Sequence, residues 1–266
     1  MLSALPIGVF DSGLGGLTVL RSLRAELPNE TFLYLGDTAR TPYGPKNPET
    51  VRQYSRECAR FLCGHGIKLL VVACNTASAF ACEALRSEIA LPVVFATEPA
   101  IHALGKLPRA ARVGVIGTRG TIASQVFQRG IQELRPDLQV MARACPLFVP
   151  LVEEGLFRGA MVNQALDLYL KEIRDWRPDV LVLGCTHYPV LVGAISEFLG
   201  DSVSIIECSR EIALECHTVL ANGHSLSSQK SGDDRLYITE ALGMFESLAK
   251  NLLGDNEVSV SKVEIA

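Results

Sequence analysis

A chain of 266 residues exceeds one ordinary domain of ~100–200 residues, so two domains are expected. With 48% hydrophobic and 20% charged residues it has the composition of a globular protein, and a formal net charge of −4 without a basic stripe argues against a nucleic-acid surface. No apolar run reaches the ~18–20 residues that span a bilayer, and residues 1–6 lack the charged start and long apolar core of a signal peptide, so the cytoplasm is the expected setting.

Ile7–Phe10 reads as a short buried strand running into the glycine-rich turn Asp11–Gly16 and a helix from Leu17 to Leu27. Thr31–Leu35 is a second strand ending in Gly36-Asp37-Thr38, and Thr41–Pro45 is a turn-rich loop. Asn47-Pro48 supplies a cap and a first helical residue for a helix from Glu49 to Cys63, whose buried face holds Val51, Tyr54, Cys58, Phe61 and Leu62. The strand that opens at Leu69 ends at Cys74-Asn75-Thr76 and is followed by a helix from Thr76 to Ile89 and a strand at Pro92–Phe95. The order then restarts. Arg112–Ile116 leads to Gly117–Thr121, as Ile7–Phe10 led to Asp11–Gly13, and a helix to Leu134, a strand near Leu138–Ala142 and a helix from Met161 to Asp175 follow. Val180–Gly184 then delivers Cys185-Thr186-His187 as Leu69–Ala73 delivered Cys74-Asn75-Thr76, and Val203–Ile206 is the last strand of the set. Residues 222–234 are polar and read as a surface loop, 243–253 as a helix, and 258–265 as an edge strand or loose end. Strands alternating with helices imply parallel sheets, so the fold class is α/β with two related, pseudo-symmetric halves facing a shared cleft.

Ligands in such sheets bind beyond the carboxyl ends of the strands, where Asp11, Ser12, Cys74, Asn75, Thr76, Thr118, Thr121, Cys185, Thr186 and His187 all fall. A thiol at a helix N-terminus feels the positive end of the dipole, which would lower the values of both Cys74 and Cys185 from the reference of ~8.5 and make them reactive. Asp11 is placed to take a proton from Cys74 or orient it, and His187 to do the same for Cys185. The other six cysteines read as free, space-filling thiols. Gly13-x-Gly15-x-x-Thr18 lacks the third glycine of a dinucleotide fingerprint, although Asp37 stands where a ribose-binding acid would. No C-x-x-C or zinc-type His/Cys spacing occurs, and Lys68 lies at the strand edge opposite Cys74, so neither a metal nor pyridoxal phosphate is implied.

Asp11–Thr18, Gly36-Asp37, Pro42-Tyr43-Gly44, Cys74-Asn75-Thr76, Glu98-Pro99, Glu153 with Gly155, and above all Gly184-Cys-Thr-His-Tyr-Pro189 together make the chain closely resemble the glutamate racemases of the aspartate/glutamate racemase superfamily. The resemblance covers almost the whole chain. It implies two α/β domains, residues 1–99 completed by 209–266 and residues 100–208. It also implies cofactor-free interconversion of L- and D-glutamate, supplying D-glutamate for peptidoglycan in a bacterial cytoplasm, and it leaves room for a homodimer. Carried over, it makes Cys74 and Cys185 the catalytic acid/base pair, with Asp11 assisting Cys74, and Glu153 and His187 assisting Cys185. Substrate contacts would come from Asp11, Ser12, Tyr43, Gly44, Asn75, Thr76, Thr186 and His187. One departure is Glu207-Cys208-Ser209, where the family usually has Asp-Ser after the last strand of the second domain.

Two thiols from opposite halves suit inversion of an α-carbon, since one face must lose a proton and the other gain one. Rival readings are a racemase of aspartate or a related amino acid, a non-catalytic two-lobed binding protein, and a thiol–disulfide enzyme, the last disfavoured by the missing C-x-x-C.

Overall fold

The computed structural model describes residues 2–240, 245–254 and 259–265. Among the described residues ten strands form two wholly parallel sheets. In the first, β10 (Val260–Lys262), β9 (Arg235–Ile238), β2 (Phe32–Gly36), β1 (Ile7–Asp11), β3 (Leu69–Val72) and β4 (Val93–Phe95) lie in that order; in the second, β6 (Gln139–Ala144), β5 (Arg112–Gly117), β7 (Val180–Gly184) and β8 (Ser204–Glu207) do. β1, β2, β3 and β7 are buried at every residue, the mark of strands covered on both faces, and this is why their sequences are apolar runs without alternation. Parallel pairing brings the carboxyl ends of each sheet to one edge, so Asp11, Asp37 and Cys74 leave together in the first sheet, and Thr118, Cys145 and Cys185 in the second.

The helices connect the strands. α1 (Gly16–Glu26), α2 (Pro48–Gly64) and α3 (Asn75–Glu88) belong to the first βα repeats, and α4 (Thr97–Ala103) carries the chain from β4 to β5. α5 (Arg119–Ala123), α6 (Val126–Leu134), α7 (Phe148–Glu153), α8 (Ala160–Trp176) and α9 (Val192–Leu199) surround the second sheet, α10 (Cys208–Asn222) returns to the first, and α11 (Phe245–Leu253) covers α1. α1 packs on α10, α10 on α4 and α4 on α6, so a continuous core runs between the sheets and includes Leu20, Ala100, Val115, Val182 and Ile212. Truncating a fully buried member such as Leu20 to Ala would cost about 2–5 kcal/mol.

Asn47 accepts from Thr50 N–H at 2.8 Å and Pro48 opens α2, as the sequence implies. The helix expected to run to Leu134 is instead broken at Gln125, whose φ of 57° is left-handed; the Ser124 hydroxyl accepts from Val126 N–H and so replaces a helical partner. β6 runs two residues beyond its expected end, and the short helices α4, α7 and α9 carry no periodic signal long enough to find them. The polar loop 222–234 is a loop, yet parts of it are buried: Lys68 Nζ donates to Ser225 O at 2.8 Å and Ser227 Oγ at 3.2 Å and pairs with Glu30 at 2.6 Å. At the departure from the family pattern, Cys208 opens α10 and its thiol donates to Leu183 O at 3.2 Å. Residues 243–244 of the expected last helix and 258 of the expected edge strand or loose end lie outside the described residues; α11 accounts for the rest of the helix, while β10 covers only Val260–Lys262 of the strand, with 259 and 263–265 irregular.

Candidate active site

Cys74 follows β3 and caps α3: its sulfur accepts from Ala77 N–H at 3.5 Å, and its thiol donates to Ser12 Oγ at 3.6 Å. The expectation that the helix dipole lowers its pKa is not met. Burial first, and the Asp11 charge second, push the thiol up to about 12, against the weaker pull of the Ala77 N–H and the Ser12 hydroxyl. Desolvation of a charged sulfur in a closed cavity outweighs the field of one helix end. Asp11 is wholly buried and is engaged elsewhere: Oδ1 accepts from Gly13 N–H at 3.0 Å and Oδ2 from Thr186 Oγ1 at 3.1 Å. Burial raises its value, with the His187 charge and these donors opposing. Its hydrogen-bond partner in the second half is therefore on the Cys185 side.

Cys185 differs from its counterpart. It leaves β7 into a turn ahead of a short 3₁₀ segment, Tyr188–Leu191, so no α-helix N-terminus adjoins it, contrary to the sequence expectation for this thiol. Its near neighbour is His187, with Nδ1 at 3.8 Å from the sulfur and Nε2 at 3.3 Å from Glu153 Oε1, the latter an ion-pair approach without hydrogen-bond alignment. Burial alone would lower His187, but the contacts to Cys185 and Glu153, with Asp11 beyond them, raise it to about 10. These contacts favour the charged form of the ring.

Both sulfurs line one cavity with Ser12, Pro42, Tyr43, Gly44, Asn75, Thr76, Thr118, Val149, Thr186 and His187, and its free space of about 20 Å³ holds little more than one water. Asn75 is 2% exposed, and among the described residues neither its amide oxygen nor its nitrogen has a partner. A buried amide left unpaired costs ~1–3 kcal/mol, which marks a group held ready for a ligand. Thr76 Oγ1 lies 2.9 Å from Thr118 Oγ1 and 3.1 Å from Thr121 Oγ1, and those two are 3.0 Å apart, a ring of hydroxyls joining α3 to α5. Gly44 O accepts from Gly120 N–H at 2.9 Å, and a Cβ on Gly44 would lie 2.8 Å from Thr118 Cβ, so only glycine lets this loop close on α5.

Among the substrate contacts expected from sequence, Tyr43 is qualified: its hydroxyl is bonded to Asp37, so at the cavity it offers ring and backbone. Glu153 does not line the cavity and reaches it only through His187. Val149 lines it without any sequence signal, since an apolar residue on a short helix reads as core. Thr118 and Thr121 carried a signal, their place at a strand end, but no assigned contact. Asp37, no ribose-binding acid, holds Arg40 at 2.7 Å and Thr239 at 3.0 Å.

A family model described as Asp/Glu/Hydantoin racemase matches residues 7–214. The chain is 44% identical over 260 residues to a glutamate racemase of Geobacter metallireducens, across 97% of this chain and 96% of that one. Among solved structures, a glutamate racemase isoform from Bacillus anthracis is similar with a TM-score of 0.94 at 38% identity, covering 98% of both chains. A glutamate racemase from Francisella tularensis, solved in complex with D-glutamate, gives 0.92 at 34% identity, again over 98% of both. A match that runs through both sheets, and paired thiols at the matched ends of β3 and β7, carry one conclusion: the chain belongs to the Asp/Glu/Hydantoin racemase family.

Proposed function

We propose that this protein is a cofactor-independent racemase that interconverts L- and D-glutamate. The observation that carries this reading is the convergence of Cys74 and Cys185, from different sheets, on one small cavity with unpaired polar groups. One thiolate removes the α-proton from one face of the substrate, leaving its electron pair on the α-carbon, and the opposite thiol delivers its own proton to the other face. Each cysteine changes role with the enantiomer bound. The α-hydrogen is a weak acid, so the carbanion needs preorganised donors, and Asn75, Ser12 and Thr76 are the side chains placed to give them, while Thr186 lines the cavity with its hydroxyl committed to Asp11. His187, protonated, stabilises negative charge on the Cys185 sulfur as it forms, and Glu153 and Asp11 hold that proton on the ring. Asp11 also raises Cys74 and so favours its acid form.

The same reading divides the chain into a first domain of residues 1–99 completed by 209–266 and a second of 100–208, with α4 and α10 as the crossings. No helix among the described residues is long and apolar enough to cross a membrane. We place the protein in the bacterial cytoplasm, supplying D-glutamate for peptidoglycan, and take a homodimer as the assembly to test by sedimentation.

Chiral chromatography of L-glutamate and L-aspartate incubated with purified protein and no added cofactor decides the reaction. D-glutamate should accumulate to an equal mixture, and EDTA should leave the rate unchanged. Conversion of aspartate alone reassigns the substrate; conversion of neither, with the protein folded, leaves a binding protein.

A further inference from the structure

The turn Gly13–Thr18, similar in sequence to part of a phosphate loop, opens onto no free space at Gly15. A Cβ there would lie 2.3 Å from Thr186 Oγ1 and 2.5 Å from His187 Nδ1, so the backbone of α1's first turn lies directly against the loop that carries Cys185. Thr18, fully buried one turn further on, places its hydroxyl 2.8 Å from Gly15 O and 3.0 Å from Thr186 O, sharing one proton between them. Gly15 O also receives the Thr18 N–H at 3.0 Å, so the hydroxyl matters most to Thr186.

We propose that Thr18 is a positioning residue for the Cys185 side of the site, an inference that rests on the racemase reading. Thr186 links Cys185 to His187 along the chain. Asp11 holds its side chain and Thr18 holds its carbonyl, so two anchors from the first sheet's loop fix a residue of the second. The peptide is planar, so holding the Thr186 carbonyl toward α1 sets the plane from which His187 projects. His187 Nδ1 then meets Cys185 Sγ at 3.8 Å. Freed of the Thr18 hydroxyl, that peptide can rotate, and the imidazole loses its register with the sulfur while Cys74, on the other sheet, keeps its own partners.

The test is Thr18→Val, which removes the hydroxyl and keeps the shape. L- and D-glutamate are equal in free energy, so kcat/KM must fall equally in both directions, and the α-deuterium isotope effect on kcat/KM carries the discrimination. We expect a fall of about tenfold or more. The isotope effect should rise for the enantiomer whose hydrogen Cys185 removes and fall for the other, in the sense given by Cys185→Ser. Thr18→Ser should restore both rate and isotope effects. Unaltered kcat/KM in folded Thr18→Val, isotope effects unmoved or shifted in the sense of Cys74→Ser, or Thr18→Ser behaving as Thr18→Val would each overturn the proposal. If Thr18→Val does not fold, the smaller Thr18→Ala is read in the same way; failure of both to fold makes the role structural and also overturns it. Absence of racemisation by the unaltered protein would sink the racemase reading instead.

Discussion

Cys74 and Cys185 occupy the same place in two related sheets, yet the protein surrounds them with different chemistry. On the Cys74 side the sulfur accepts from a helix N–H and its thiol donates to the Ser12 hydroxyl, and burial, with the Asp11 charge behind it, holds the thiol high, at about 12. On the Cys185 side the sulfur meets a buried imidazole with Glu153 behind it, and these contacts favour the charged ring. The difference teaches that strand-end placement supplies position while the neighbours decide protonation. In the proposed mechanism the first environment favours the acid form of Cys74.

The largest effects break both sides at once. Cys74→Ala and Cys185→Ala should each lower racemisation by about 10³-fold or more, because each removes the group that transfers the proton on one face. In heavy water the product enantiomer should acquire deuterium on its α-carbon while recovered substrate stays unlabelled early on; label in both at equal rates would mean a single base. Next comes Gly15→Ala, which pushes a methyl into Thr186 and His187 and should cost about 10²-fold in kcat/KM, with Ser12 and Cys74 undisturbed. A full-rate, folded Gly15→Ala protein would show that the loop contact is slack.

The third prediction isolates the charged side. His187 is raised from 6.5 to about 10, so the folded protein binds that proton more tightly than the unfolded chain. Its contribution to stability is complete below pH 6.5 and fades as pH rises toward 10, and denaturant midpoints across that window should fall more steeply for the unaltered protein than for His187→Gln. Parallel curves would remove the imidazolium from the account. A smaller effect is expected at Asn75: Asn75→Ala should raise KM about tenfold while leaving the melting temperature equal or higher, since an unpaired buried amide costs ~1–3 kcal/mol in the free protein. The smallest belongs to Cys58→Ser. That thiol is buried on α2, 3.8 Å from the Tyr43 hydroxyl and outside the cavity, and turnover should hardly change.

The sequence by itself determined the α/β class, because strands buried on both faces must be apolar runs and helices between parallel strands must show one apolar stripe. It also brought Asp11, Cys74 and Cys185 to strand ends, since a parallel strand delivers its last residues to one edge whatever lies opposite. Tertiary structure alone decided what those residues meet. Asp11 is near Cys74 in the chain's logic, but its carboxylate bonds to Thr186 from the other sheet; Tyr43 looks like a cleft hydroxyl, but it is turned toward Asp37. Thr18 reads only as the end of the glycine-rich motif until the Cys185 loop is laid against it. The contacts of Asp11 and Thr18 with Thr186 join residues more than a hundred positions apart, and they depend on how two separately patterned halves dock. Protonation follows the same rule, because a thiol's value is set by the water it loses and the charges it gains, and neither is written in its neighbours along the chain.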